Sequence, residues 1–195
     1  MGSTVPPDVG NHVPVARNIV FLRGINLGAK RRVSMEQLRL HLEAAGYQDV
    51  RTLLQSGNVV LGATKTPALL EQDLASGLRG AFGFEIGVVV RTGDELAEVV
   101  EHDPFAGQAL DPARYQVSFL SMVPDRARVR ALEAADVAPE RVAVRGREVY
   151  AWHPGGVARS ELAKLITARR LGVEVTARNW RTLTKLLEIA ETIDE

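Results

Sequence analysis

The chain alternates short apolar runs with longer amphipathic stretches, and the alternation repeats. Arg17 to Arg23 (RNIVFLR) is an apolar run closed by Gly24, the pattern of a buried strand. Ser34 then opens a helix: Gln37 three residues on completes a capping-box pattern, Met35, Leu38, Leu42 and Ala45 share one face, and Gly46 ends it. Val50 to Leu54 and Asn58 to Leu61 read as strands joined by the polar Gln55-Ser56-Gly57, a connection suited to a hairpin. Pro67 marks the next helix start, with Leu70, Leu74 and Leu78 spaced by four; Ile86 to Val90 is a further strand and Asp94 to Val100 a further helix. The first half reads βαββαβα.

From Pro104 to Pro112 (PFAGQALDP) the pattern lapses, which places a domain boundary there, and then it restarts. Tyr115 to Met122 predicts a strand, Asp125 to Ala135 a helix, and Val142 to Arg145 with Glu148 to His153 a hairpin turning at Gly146. Ser160 to Leu171 predicts a helix, Val173 to Thr176 a short strand, and Asn179 to Ile193 a closing helix with the apolar stripe Trp180, Leu183, Leu187 and Ala190. Both halves follow one order, although no residue-level identity links them. The βαββαβ order is the split-βαβ, ferredoxin-like arrangement. The expected fold class is therefore α+β: two ferredoxin-like subdomains, antiparallel sheets with helices packed on them, at 16–103 and 115–195. A flexible tail at 1–15 precedes them and a linker at 104–114 joins them.

Composition narrows the function classes. With 46% hydrophobic residues and a quarter charged, the chain is a folded globular protein, and apolar runs such as Ile86 to Val90 are too short to cross a membrane. The tail lacks the basic start and apolar run of a secretory signal, so the expected location is cytoplasmic. The absence of cysteine excludes disulfides, thiolate metal sites and cysteine nucleophiles. His12, His41, His102 and His153 form no metal-binding spacing, and no serine sits in a nucleophile-elbow pattern, so no metal, cofactor or catalytic residue is assigned. Arg145-Gly146 with Tyr150 and Trp152 at alternate positions faintly echoes an RNA-recognition strand; if the two sheets pack together, those aromatics are interface core.

Basic residues balance acidic ones at 24 each, which argues against a bulk polycation. The balance is cancellation between blocks. Residues 17–51 carry seven basic against three acidic residues and residues 141–185 ten against three, while 52–140 carry seven against thirteen. Each positive block holds a candidate anion-binding segment. Gly24-Ile25-Asn26-Leu27-Gly28-Ala29-Lys30 follows a strand and precedes a helix, without Walker A spacing. Arg178-Asn179-Trp180-Arg181-Thr182, with Lys185 one turn on, starts the last helix, where clustered cations oppose the helix dipole and call for an anionic neighbour.

Together with Leu38 to Gly46, Gln55-Ser56-Gly57-Asn58-Val59-Val60 and Gly146 to Tyr150, the blocks Phe21 to Gly28 and Thr176 to Thr182 with Lys185-Leu186 give the chain a resemblance. From about Asn18 to Ala190 it resembles the bacterial domain-of-unknown-function family 1697. The resemblance implies two ferredoxin-like subdomains and no established activity, substrate or cofactor. Leu27, Ala29 and Leu53-Leu54 depart from the expected pattern, and Ala29 stiffens the glycine loop.

The expected function is binding of an anionic or phosphorylated, nucleotide-like small molecule between the subdomains. Arg23, Lys30, Arg178 and Lys185 would supply charge, Asn26 and Asn58 hydrogen bonds, and Gly24 and Gly28 close approach; Ser56 and Asn179 complete the set. Two alternatives stay open: a nucleic-acid binder using the basic C-terminal half, and an enzyme without a recognisable motif. The sequence does not assign an oligomeric state.

Overall fold

A computed structural model describes residues 15–28, 31–108 and 111–192. The expected tail, apart from Val15, lies outside the described residues, as do Ala29 and Lys30. In chain order the described elements of the first half are β1 (Ala16–Arg23), α1 (Met35–Ala44), β2 (Gln48–Leu53), β3 (Asn58–Ala63), α2 (Pro67–Phe82), β4 (Gly87–Thr92) and α3 (Gly93–Glu101). The second half has β5 (Tyr115–Leu120), α4 (Arg126–Glu133), β6 (Arg141–Arg145), β7 (Glu148–Trp152), α5 (Glu161–Leu165), α6 (Ala168–Leu171), β8 (Val175–Asn179) and α7 (Trp180–Thr192).

The strands form two four-stranded antiparallel sheets, ordered β2-β3-β1-β4 and β6-β7-β5-β8, giving a mixed α and β architecture. The two orders match strand for strand. Side-chain alternation then sets the layers. In β1, Val20 and Leu22 face α1 and α2, whereas Ile19 and Phe21 face the other sheet. From the second half Tyr115, Val117, Phe119 and Tyr150 answer them, with Trp152 partly buried beside them. Tyr150 and Trp152 are thus inter-sheet core. Leu96 and Val99 of α3 and Leu183 and Leu186 of α7 close this central core from the side. Phe21 and Phe119 stack within it, ring centroids 4.2 Å apart. A third cluster, including Leu120, Leu132, Val149 and Leu162, lies on the outer face of the second sheet.

Two elements differ from expectation. The helix expected over Ser160 to Leu171 breaks: Ile166, at φ −85° and ψ 71°, leaves helical geometry, and Thr167 restarts the chain by accepting a hydrogen bond from Arg170 N–H. Adjacent β-branched residues lose side-chain freedom in a helix, so the break falls where propensity is weakest. The last strand is Val175–Asn179, which makes Arg178 a strand residue and not part of the helix start. Asn179 still caps α7, its Oδ1 accepting from Thr182 N–H at 2.9 Å.

Candidate functional site

Where β1 ends, its loop meets the β2–β3 hairpin. Leu22 N–H donates to the Gly57 carbonyl at 2.7 Å, and at Gly57 only glycine fits. Its φ is +78°, and a Cβ there would lie 2.5 Å from Ile25 Cδ1 and 2.8 Å from Leu22 Cβ. Asn26 latches the loop: Nδ2 donates to the carbonyls of Gln55 (2.7 Å) and Val33 (3.1 Å), and Oδ1 accepts from Val33 N–H. Asn26 and Leu54 both hold positive φ, 54° and 60°. A leucine in that region is strained and persists only where its surroundings enforce it. Leu27 and Leu54 stand 70% and 59% exposed beside this polar latch.

Arg178 reaches into the same place from the other sheet. Its Nε donates to Asn58 Oδ1, one terminal nitrogen to Thr176 Oγ1 (3.0 Å) and the Ala177 carbonyl (2.8 Å), and the other to the carbonyls of Leu22 (2.8 Å), Ser56 and Gly57. The guanidinium lies over the Phe21 ring, 5.5 Å from its centroid. All five donors are engaged.

A second arginine repeats this arrangement in the other half. Arg91 of β4 pairs with Ile19 as Arg178 of β8 pairs with Val117. Arg91 donates to the carbonyls of Val90 (2.9 Å), Leu120 (2.9 Å) and Arg147, and lies 5.5 Å from the Phe119 centroid. Its Nε finds Glu148 Oε1 at 2.9 Å, at the register position that Asn58 occupies in the first half. One position therefore differs in charge. Arg91 has a carboxylate, reinforced by Glu95 nearby. Among the described residues no carboxylate pairs with Arg178, and burial alone pushes its guanidinium down to about 10, so it stays charged at neutral pH. A cation held in low dielectric without a counter-ion projects its field further than a paired one.

Of the residues named from sequence, hydrogen bonds bring Asn26, Ser56, Asn58 and Arg178 together at this junction, while Gly24 and Gly28 lie along the β1 loop without contact to Arg178. Arg23 is ion-paired with Glu174. Ser56 offers its carbonyl to Arg178 and its Oγ to Asn58 Nδ2 at 3.1 Å. Lys30 lies outside the described residues; Lys185 pairs with Glu188 at 2.7 Å on an exposed face, and Asn179 is spent on its cap. In the basic C-terminal block Arg147 pairs with Glu95 at 2.6 Å and Lys164 with Glu161 at 2.5 Å. Sequence reasoning passed over Arg91 and Glu148. The signal was a lone arginine ending the apolar run GVVVRT of β4.

Among the described residues no helix is long and apolar enough to cross a membrane. No curated protein matches the chain. Among solved structures, the chain is similar to a conserved bacterial protein from Streptococcus pneumoniae, with a TM-score of 0.73 at 21% identity over 91% of this chain and 99% of that one. At that identity the likeness speaks for the fold alone. The family model described as "Protein of unknown function (DUF1697)" matches residues 15–150, which covers the glycine loop, the β2–β3 hairpin and Arg91 and stops short of Arg178. The chain belongs to the DUF1697 family.

Proposed function

We propose that this is a cytoplasmic binding protein for an anionic, phosphate-bearing small molecule of nucleotide-like character, seated on the latched loops over Arg178. The observation that carries this reading is the missing counter-ion: of two register-equivalent arginines, Arg91 fully buried and Arg178 partly so, only Arg91 has a carboxylate partner among the described residues. Arg178 would act through its field, since its donors are engaged. Leu27 and Leu54 would offer apolar contact to the uncharged part of the ligand. The element order and the two strand orders also support reading each half as a ferredoxin-like subdomain, at 16–103 and 115–195 with 104–114 as linker.

The test is a thermal-shift series with nucleotides, sugar phosphates and short oligonucleotides, run on wild type and on Asn58→Asp. The variant places a carboxylate against Arg178, in the manner of Glu148 against Arg91. A phosphate-bearing ligand is expected to raise the wild-type midpoint and to leave folded Asn58→Asp unmoved. Absence of any shift would sink the reading. Stabilisation by oligonucleotides only, weakening with salt by a log-log slope of about 0.7 per phosphate contacted on a single strand, would transfer it to nucleic acid.

A further inference from the structure

We infer that the outer face of the second sheet carries a second site, in which His153 is a general base, held by Glu140, for a small uncharged molecule bearing a hydroxyl group next to a carbonyl. The inference does not depend on the loops over Arg178.

The internal repeat supplies the control. On the outer face of the first sheet, Val20, Leu22, Leu61, Ala63 and Val90 pack beneath the long helix α2, whose Leu70, Leu74 and Leu78 fill the space above them. Strand pairing gives their counterparts in the second half: Ser118 for Val20, Leu120 for Leu22, Ala151 for Leu61, and Ala177 for Val90. One residue past Ala151's neighbour Trp152, His153 stands where Ala63 stands. The same sheet therefore needs no polar group at these positions. Here α2 is replaced by the broken pair α5 and α6, and a cleft of about 340 Å³ opens, with Gln116, Ser118, His153 and Thr167 among its lining residues and Arg23 contributing from the first half. That volume suits a small metabolite.

His153 is only 1% exposed. Its Nδ1 lies 3.1 Å from Glu140 Oε1 and 2.8 Å from Ser160 Oγ, while Glu140 Oε2 accepts from Leu162 N–H at 2.9 Å. Burial works against ionisation of Glu140, but hydrogen bonds from Ser160, Leu162 and His153 outweigh it and hold the carboxyl below its ordinary range. An ionised carboxylate accepts only, so the imidazole proton belongs on Nδ1 and the lone pair on Nε2. Nε2 has no partner among the described residues, yet it is not sealed in: Asn18 Oδ1 alone is both buried and partnerless among them. It faces the cleft. Ser118, also buried, has no side-chain partner among the described residues either.

A ligand hydroxyl donates to Nε2, and its carbonyl accepts from the Ser118 hydroxyl and the Gln116 amide. In proton transfer the ligand O–H bond breaks and an Nε2–H bond forms. The electron pair stays on the ligand oxygen, and the imidazolium is paired with Glu140.

Acylation by diethyl pyrocarbonate, itself a small neutral carbonyl compound whose carbonyl is attacked by unprotonated imidazole nitrogen, tests this on the full chain at neutral pH, with peptide mass mapping. Exposed His102 is the internal reference. His153 is expected to react at a rate comparable to His102 despite its burial; an inert His153 overturns the site. Ser118→Val installs the first half's residue, so the fold is expected to survive. It should slow His153 by about tenfold or more with His102 unchanged, as expected when a positioned nucleophile loses access. An unchanged His153 rate in a folded Ser118→Val protein overturns the assignment of the cleft as its route. Glu140→Gln is expected to slow His153 selectively, because the tautomer is no longer fixed; an unchanged rate overturns the positioning role of Glu140. Finally, glycolamide is expected to protect His153 several-fold better than propionamide, which lacks the hydroxyl; equal or absent protection overturns the ligand class.

Discussion

Arg91 and Arg178 hold the same place in two halves of one molecule and differ in what removal leaves behind. Replacing Arg91 by methionine keeps the length of the side chain but strands Glu148, whose side chain is 16% exposed, beside a buried interface. Breaking a buried pair this way costs about 3–5 kcal/mol. Arg178→Met strands no charge: it leaves neutral acceptors, of which the Gly57 carbonyl keeps the Leu22 N–H, and it relieves the desolvation of an unpaired cation. Denaturant unfolding is expected to show Arg91→Met as the more damaging variant, and Arg91→Met with Glu148→Gln as recovering part of the loss. Equal losses in the two single variants would mean that Arg178 has a counter-ion in solution. Glu140 gives the pH-dependent case. A carboxyl whose folded pKa is depressed contributes stability that is present above its ordinary value of 4.5 and lost as pH falls through the folded value. Glu140→Gln is therefore expected to flatten the acid limb of the stability profile below 4.5 and to lower stability at neutral pH, both measurable by urea unfolding across pH. None of this was legible from the residues singly: Asn58 and Glu148 share a register position without sharing identity, and Arg178 read as part of a helix start because its neighbour Asn179 marked one.

At the scale of elements the sequence spoke more plainly. Wherever a strand has a face buried on each side, as β1 does through Ile19 to Leu22, or a helix has a capping side chain, as Ser34 gives α1, its existence and type could be read directly. Boundaries and breaks could not. The α5–α6 interruption depends on Ile166 and on the cleft it borders, and the reach of β8 to Asn179 depends on its pairing with Gln116 across the sheet. The convergence of the β1 loop with the β2–β3 hairpin, which the sequence reading grouped in one site, rests on a tight turn that only Gly57 allows. Gly57→Ala combines left-handed strain with overlap against Ile25 and Leu22, each worth about 1–3 kcal/mol. Gly146→Ala, in the hairpin of the other sheet, carries the strain alone, because the nearest atom to its Cβ would be Glu148 Oε2 at 3.9 Å. Thermal unfolding is expected to rank Gly57→Ala well below Gly146→Ala. Phosphate-dependent stabilisation, where wild type shows it, should be lost only in the former, because only that turn supports the loops over Arg178.

For the whole molecule, the repeat in topology does not imply two independent folding units. The central core draws Ile19, Phe21 and Val60 from one half and Val117, Phe119 and Tyr150 from the other, and each arginine crosses from its own sheet to hydrogen-bond the opposite one. Either half alone would expose that apolar face and leave a guanidinium and several carbonyls without partners. Stability should therefore be shared along the chain. The two tryptophans make this measurable, because Trp152 and Trp180 both lie in the second half, against the central core. Leu70, on the buried face of α2, lies in the outer core of the first half and is fully buried. Leu70→Ala removes buried volume and costs about 2–5 kcal/mol. In a cooperative molecule that loss moves the tryptophan-detected unfolding midpoint by as much as the midpoint read from far-ultraviolet circular dichroism, and the two transitions coincide. If the halves unfold separately, circular dichroism becomes biphasic while the tryptophan signal keeps its wild-type midpoint. The crossing arginines make the first outcome the expected one: unfolding the first half withdraws the acceptors of Arg178 and leaves its charge inside the second, so the second half cannot keep its native stability once the first is lost.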